Sequence, residues 1–241
     1  MNTAYNPHGA ALLDCYRGKA DAMLTVHQEG ERDDVPAAFW LRTELDPLEL
    51  LGLDLCRGRV LDLGAGAGVH ALELQRRGME VTAVDIASEC VEIMRDRGVQ
   101  SAYALDMFEL DHGEFDTIIA LCNGLDKVGR LEDLPRFLDR ARSLLAPGGQ
   151  LIADSFDLRV GASAGRLAAL TRKHVSGRYF GELDLRFEYN GESGAPFSAL
   201  HVDYTTLTHI AKQVGWTCEL IQQCGGHYLV RARPTDFRLV E

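Results

Sequence analysis

The sequence predicts an α/β fold built on a seven-stranded, mostly parallel sheet with helices on both faces. Three observations carry this. Between Arg59 and Ser155, apolar strand-like runs alternate with helical patterns. Those runs are nearly continuous in apolar residues, as strands covered on both faces must be. Two further runs close the chain with no room for a crossover helix between them, so they form an antiparallel pair.

The elements follow in order. Residues 10–28 read as a helix, with Leu12, Leu13, Tyr16, Ala20, Met23, Leu24 and His27 at helical spacing. After the polar break "QEGERDD", Pro36 suits the first turn of a second helix, "PAAFWLRTEL", and Pro47 stops or kinks it. "RVLDL" is a strand and 68–77 a helix; "EVTAVD" is a strand and 88–96 a helix. "SAYALD" and "FDTIIAL" are strands. Leu131, Leu134, Phe137, Leu138, Ala141, Leu144 and Leu145 trace one face of a helix that "PGG" ends, and the strand "QLIADS" follows.

Residues 156–204 are too many for a simple crossover. Within them Leu183, Leu185, Phe187 and Tyr189 alternate with charged residues, and the "NG" at 190–191 marks a β-hairpin turn. Leu207, Ile210, Ala211 and Val214 then read as a helix with Gly215 as its C-cap, before the strands "TCELIQQ" and "HYLVRAR". The expected organisation is an N-terminal helical cap (1–55), a first half of the core (56–155), an inserted hairpin cover (156–204) and a C-terminal part of the core (205–241).

Composition narrows the function classes. Hydrophobic residues make up 46% and charged residues 25%, which suits a globular protein with a sizeable core. The net charge of −11 argues against a nucleic-acid partner. No apolar run is long enough for a membrane span, and "MNTAYNPHGA" lacks the texture of a signal peptide. The six cysteines lie far apart with no CxxC pair, so free thiols in a reducing cytoplasm are expected rather than a zinc site or disulfides.

The chemistry concentrates at "GRVLDLGAGAGVHALEL", where Gly64, Gly66 and Gly68 stand at alternate positions between a first strand and a first helix. Small residues there let a ligand approach the backbone, and the helix N-terminus offers free amides. A dinucleotide GxGxxG loop would need a glycine at 69, where Val69 stands. The pattern Asp62-Leu-Gly64-Ala65-Gly66-Ala-Gly68 instead resembles the first motif of class I S-adenosylmethionine-dependent methyltransferases of the small-molecule type. The likeness continues along the chain. Asp85, followed by Ile86, ends the second strand, where that family holds the ribose hydroxyls. "ALDMF" offers Asp106 and Met107 where it contacts adenine. "LCNGL" puts Cys122, Asn123 and Gly124 where a segment lies beside the methyl group, and "LLAPGGQLI" leads into the fifth strand.

The resemblance implies a Rossmann-like sheet with an antiparallel last strand, and S-adenosylmethionine as cofactor, with S-adenosylhomocysteine as product. Asp62 then lies near the cofactor's methionine part. The implied reaction is in-line transfer of a methyl group to a small organic acceptor, with oxygen, nitrogen, sulfur and carbon all open. Holding the two reactants in contact supplies most of the acceleration, and a general base is needed only where the acceptor must lose a proton.

Candidate catalytic residues outside the strand ends are Asp157, His174, His201 and Asp203, and Asp203 fits a helix N-cap equally well. Substrate contacts are expected from Phe39, Trp40, Asn123, Ser155 and Tyr179, with Tyr5, Phe187 and Phe197 among the aromatics of the covering segments. No metal-ligand cluster stands out. A monomer or homodimer is expected. The rival readings are a cofactor-binding but inactive domain, a nicotinamide-dependent oxidoreductase and an aminopropyltransferase, the last needing paired acids where "LCNGLD" has only Asp126.

Overall fold

The computed structural model describes residues 3–110 and 113–235; the last six residues of the 205–241 segment and residues 1, 2, 111 and 112 lie outside the described residues. Helix α1 (Asn6–Tyr16) is followed by strands β1 (Met23–Gln28) and β2 (Glu31–Pro36), a 3₁₀ turn at Ala37–Leu41 and helix α2 (Pro47–Asp54). Next come β3 (Val60–Leu63), α3 (Val69–Arg76), β4 (Val81–Asp85), α4 (Ser88–Asp96), β5 (Ala102–Ala104) and β6 (Phe115–Ala120). After 3₁₀ turns at Gly124–Val128 and Leu131–Asp133 come α5 (Leu134–Leu144), β7 (Leu145–Phe156), α6 (Ala164–Val175), β8 (Glu182–Tyr189), β9 (Glu192–Ser193) and β10 (Phe197–Leu200). Helix α7 (Tyr204–Gln213) and strands β11 (Trp216–Cys224) and β12 (His227–Pro234) complete the described chain.

The large sheet has seven strands in the order β11-β12-β7-β6-β3-β4-β5. Strands β3 to β7 pair in parallel, and β12 runs antiparallel to both β7 and β11. Successive residues of a strand feed opposite faces. Leu61 and Ile118 enter one apolar cluster; Val60 and Ile119 enter the other. That two-sided burial is why these strands read as continuous apolar runs.

The N-terminal segment departs from the helical reading. The helix over 10–28 ends at Tyr16, and Met23–Gln28 is a strand turned back onto β2 through Glu29 and Gly30, both at positive φ. Leu24 and Thr25 are buried, and the β-branched Thr25 and Val26 favour a strand over a helix here. The helix expected over "PAAFWLRTEL" is only the short 3₁₀ turn, and Pro47 opens a helix rather than ending one. At the first helical position a missing N–H costs nothing, and Asp46 and Glu49 close a reciprocal capping box around it.

The hairpin expected at 190–191 is present, with Asn190 and Gly191 at positive φ between β8 and β9. It is not a separate appendage. Strand β8 pairs with β1, so the N-terminal and inserted segments share one antiparallel sheet, ordered β10-β8-β1-β2. Helix α1 packs on this sheet and on α4, which brings the small sheet over the carboxyl ends of β3 and β4.

Candidate active site

The three glycines serve three purposes. A side chain at Gly68 would strike Met94 and Val99, so this position allows α3 to pack closely. At Gly64 the space is filled by the Lys127 side chain. Gly66 has φ +55° and faces open space, a backbone bend that any added side chain would fill. The loop is tied down from below: the Gly64 and Ala65 amides donate to Val84 O at 2.9 and 3.0 Å. The Asp85 carboxylate accepts from the Gly66 amide at 2.8 Å and from the Ala87 amide at 2.9 Å. Burial raises the Asp85 pKa against those two bonds.

This loop floors a cavity of about 500 Å³. Of the residues singled out from the sequence, Gly64, Ala65, Gly66, Asp85, Ile86, Asp106, Met107 and Cys122 line it, as do Phe39 and Trp40. Asp106 caps the turn Met107–Glu109, accepting from the Phe108 amide at 3.0 Å, which fixes part of the cavity wall. Asp62 is 1% exposed beneath the loop, and its Oδ2 has no hydrogen-bond partner among the described residues. Burial raises its pKa.

After β6 the backbone is strained. Cys122 and Asn123 both lie in the left-handed region, at φ +64° and +57°. Such residues cost on the order of 1–3 kcal/mol each and persist only where neighbours hold them. Here Asp154 does so, accepting from the Asn123 and Gly124 amides at 2.9 and 2.8 Å. Cys122 faces the cavity; Asn123 instead pairs through Oδ1 with His227 Nε2 at 3.1 Å, and Gly124 packs on Ala120.

The other sequence candidates lie away from the cavity lining. Ser155 Oγ is buried and accepts from the Val202 amide at 3.0 Å. Tyr179 donates its hydroxyl to Asp203 at 2.7 Å, and Asp203 caps α7 through the Thr205 and Thr206 amides. Asp157 pairs with Arg159, His174 sits edge-on to Phe180, and His201 is held by its amide bond to Gly181 O. Asp157, Ser155, Tyr179 and Asp203 are accounted for by these bonds, whereas the buried His201 imidazole leaves Nδ1 without a partner among the described residues; none of the six lines the cavity above the glycine loop.

Several lining residues escaped the sequence reading. Lys127 lies across Gly64 and pairs with Asp126 at 3.6 Å. Burial alone would lower its pKa; the carboxylates of Asp126, Asp154 and Asp85 outweigh this and raise it, so the ammonium stays charged. Arg42 and His70 meet on buried Glu49: both guanidinium nitrogens NH1 and NH2 reach its carboxylate, the first at 2.7 Å, and His70 Nε2 is 3.0 Å from Oε1. Tyr5, Phe187 and Phe197, expected among the aromatics of the covering segments, do line the cavity, and His8 joins them from the N-terminal segment.

Comparison with known proteins identifies the family. Residues 31–221 match the family model described as a methyltransferase domain. A SAM-dependent methyltransferase from Bacteroides fragilis, solved with S-adenosyl-L-homocysteine, superposes with a TM-score of 0.85 at 33% identity, covering 98% of this chain and 97% of that one. A ubiquinone biosynthesis O-methyltransferase of Xanthomonas euvesicatoria is 32% identical over 132 residues, 52% of this chain and 53% of the relative. A magnesium-protoporphyrin O-methyltransferase of Rhodobacter capsulatus is 39% identical over 74 residues, 28% of this chain and 33% of its own. The chain spans about half the length of the first of these curated relatives. The chain belongs to the class I S-adenosylmethionine-dependent methyltransferases. Among the described residues no helix is long and apolar enough to cross a membrane, and no three His, Cys, Asp or Glu side chains group as a metal site.

Proposed function

We propose that this protein transfers the methyl group of S-adenosylmethionine to an oxygen atom of a small organic acceptor. The observation that carries this is one continuous cavity, with the motif residues at one end and an aromatic cover from the N-terminal and inserted segments at the other. The cofactor supplies an electrophilic methyl group on a sulfonium sulfur. The residues present fit it. Gly66 leaves a cradle that a Cβ would fill, and Asp62 Oδ2 is a buried acceptor without a donor, suited to the cofactor's ammonium group. Asp85 holds the ribose hydroxyls, while Ile86, Asp106 and Met107 enclose the adenine. Cys122, set by the strained backbone at Cys122 and Asn123, forms the wall beside the methyl group. Oxygen is favoured because both curated relatives are named O-methyltransferases.

In this division of labour the described residues of the 56–155 and 205–241 segments form the cofactor-binding core, and those of 1–55 with 156–204 cover the acceptor. Burial of the acceptor against the cover holds it in line with the methyl group, and that alignment supplies most of the acceleration.

The test is calorimetric titration of purified protein, checked by mass for copurified nucleosides, with S-adenosylmethionine, S-adenosylhomocysteine and NAD. Micromolar binding of both S-adenosyl compounds without NAD binding is expected; a folded, empty protein that binds neither ends the proposal. In the same assay Asp85→Ala removes charge-assisted hydrogen bonds to the ribose and the support under Gly66. Affinity should fall roughly tenfold or more. Unchanged affinity in the folded variant removes Asp85 from the site.

A further inference from the structure

His8 is the residue of this cavity that packing alone does not explain. Its ring lies nearly parallel to Phe187, with centroids 5.4 Å apart and planes at 26°. Trp40 meets it edge-on at 5.0 Å, and Tyr5 edge-on at 6.4 Å. Phe197 extends the group, 4.8 Å from Tyr5 and 5.0 Å from Phe187. These five rings come from the N-terminal turn and α1, the 3₁₀ turn after β2, and strands β8 and β10. All five line the cavity that the glycine loop floors.

A neutral imidazole carries one donor and one acceptor, and His8 is half-buried in the cavity wall. Neither ring nitrogen of His8 has a hydrogen-bond partner among the described residues. The three aromatic rings that touch it bring no carboxylate or ammonium. A phenylalanine would fill the same place but offer the cavity neither a donor nor an acceptor. The nitrogens therefore have their use in a ligand. Flat rings around the histidine select a flat ligand, since stacked and edge-on contacts need planar partners.

Resting on the methyl-transfer reading above, we propose that His8 is a catalytic residue of the acceptor site: it hydrogen-bonds the hydroxyl of a planar aromatic acceptor and takes its proton as the methyl group arrives. The acceptor's O–H bond breaks, its proton passing to the imidazole lone pair, and an O–CH₃ bond forms. The methyl–sulfur electron pair stays on sulfur, leaving a neutral thioether. One positive charge thus moves from sulfonium to imidazolium and the total charge of the closed site is unchanged. Desolvation holds the His8 pKa down at about 4, so the imidazole is neutral with its lone pair free at neutral pH.

The test uses the full chain saturated with S-adenosylhomocysteine and titrated with 2-naphthol, with naphthalene as the control lacking the hydroxyl. The parent should bind 2-naphthol about fivefold more tightly than naphthalene, the worth of one neutral hydrogen bond. In His8→Phe, which keeps a ring in place, the two should bind alike and naphthalene's affinity should be unchanged. His8→Gln should regain the preference. With S-adenosylmethionine the parent should methylate the naphthol oxygen, and kcat should fall roughly 100-fold in both variants, because neither replaces the base. A parent without preference, a preference that survives in His8→Phe, or bound naphthol left unmethylated overturns the assignment. Failure of S-adenosylhomocysteine to bind at all would instead overturn the methyl-transfer reading.

Discussion

Gly66→Val is expected to abolish cofactor binding while leaving the protein folded. The backbone at Gly66 has φ +55°, where a β-branched residue is strained by about 1–2 kcal/mol. In a chain of this size that lowers Tm by about 2–8 °C. The larger effect is steric. A Cβ at this position meets no protein atom within 4 Å, because the space it enters is the cavity itself. Two added methyl groups there stand where the cofactor must lie, and affinity should fall roughly 100-fold or more. Gly78→Val is the control. Gly78 follows α3 at φ +81°, also faces open space and does not line the cavity, so it imposes similar strain without blocking anything. Equal loss of affinity in both variants would mean that strain, not occupancy, does the damage. Normal binding by Gly66→Val would take the cofactor away from this loop.

The core of the fold was legible because its signals are local and redundant. Each strand from β3 to β7 is an apolar run bounded by a helix or a turn, and a strand buried on both faces cannot read otherwise. The glycine loop, Asp85 and Asp106 were legible for a related reason. They sit where strands end, and strand ends are fixed once the runs are found. The N-terminal hairpin was not legible. Strand β2 is an exposed edge strand, "ERDDVP", with no apolar pattern, and β1 takes its other partner, β8, from about 160 residues away. Met23, Leu24 and His27 fall into the helical period of the preceding residues.

The acceptor end of the site shows the same limit from another side. Ser155, Tyr179 and Asp203 are polar residues near the correct ends of their elements, yet they turn into the core and satisfy one another or a helix end. Residue type does not say which way a side chain faces. His8 lies before the helical periodicity that begins at residue 10, and only Pro7 signals the earlier start of the helix. The buried group of Arg42, Glu49 and His70 joins residues 7 and 21 positions apart and has no periodic signature. Its one local trace is the spacing of Asp46 and Glu49, which is that of a capping box.

That group sets the largest stability effect expected outside the glycine loop. Glu49 is 2% exposed on α2, and its carboxylate joins Arg42 to His70 on α3 and accepts from the Asp46 amide at 2.8 Å. Glu49→Ala leaves a guanidinium and an imidazole facing each other without their shared acceptor. Breaking a buried pair from one side costs about 3–5 kcal/mol, and the lower end applies because Arg42 keeps 27% of its side chain in water. Tm should fall by roughly 6–12 °C. Glu49→Gln separates charge from shape and exposes a pH signature. Burial alone would raise the Glu49 pKa, but hydrogen bonds from Arg42, His70 and the Asp46 amide overcome this and hold it at about 2, against an ordinary 4.5. A carboxyl group whose pKa is lowered by folding contributes stability that is complete above its unfolded value and is lost as the pH falls toward its folded one. The parent should therefore be more stable than Glu49→Gln by a constant margin above about pH 5, and that margin should shrink as the pH drops from 4.5 toward 2. Urea unfolding of both proteins across this range measures it. A margin that stays constant down to pH 2.5 would mean that the carboxylate's charge is not what joins α2 to the wall of the cavity.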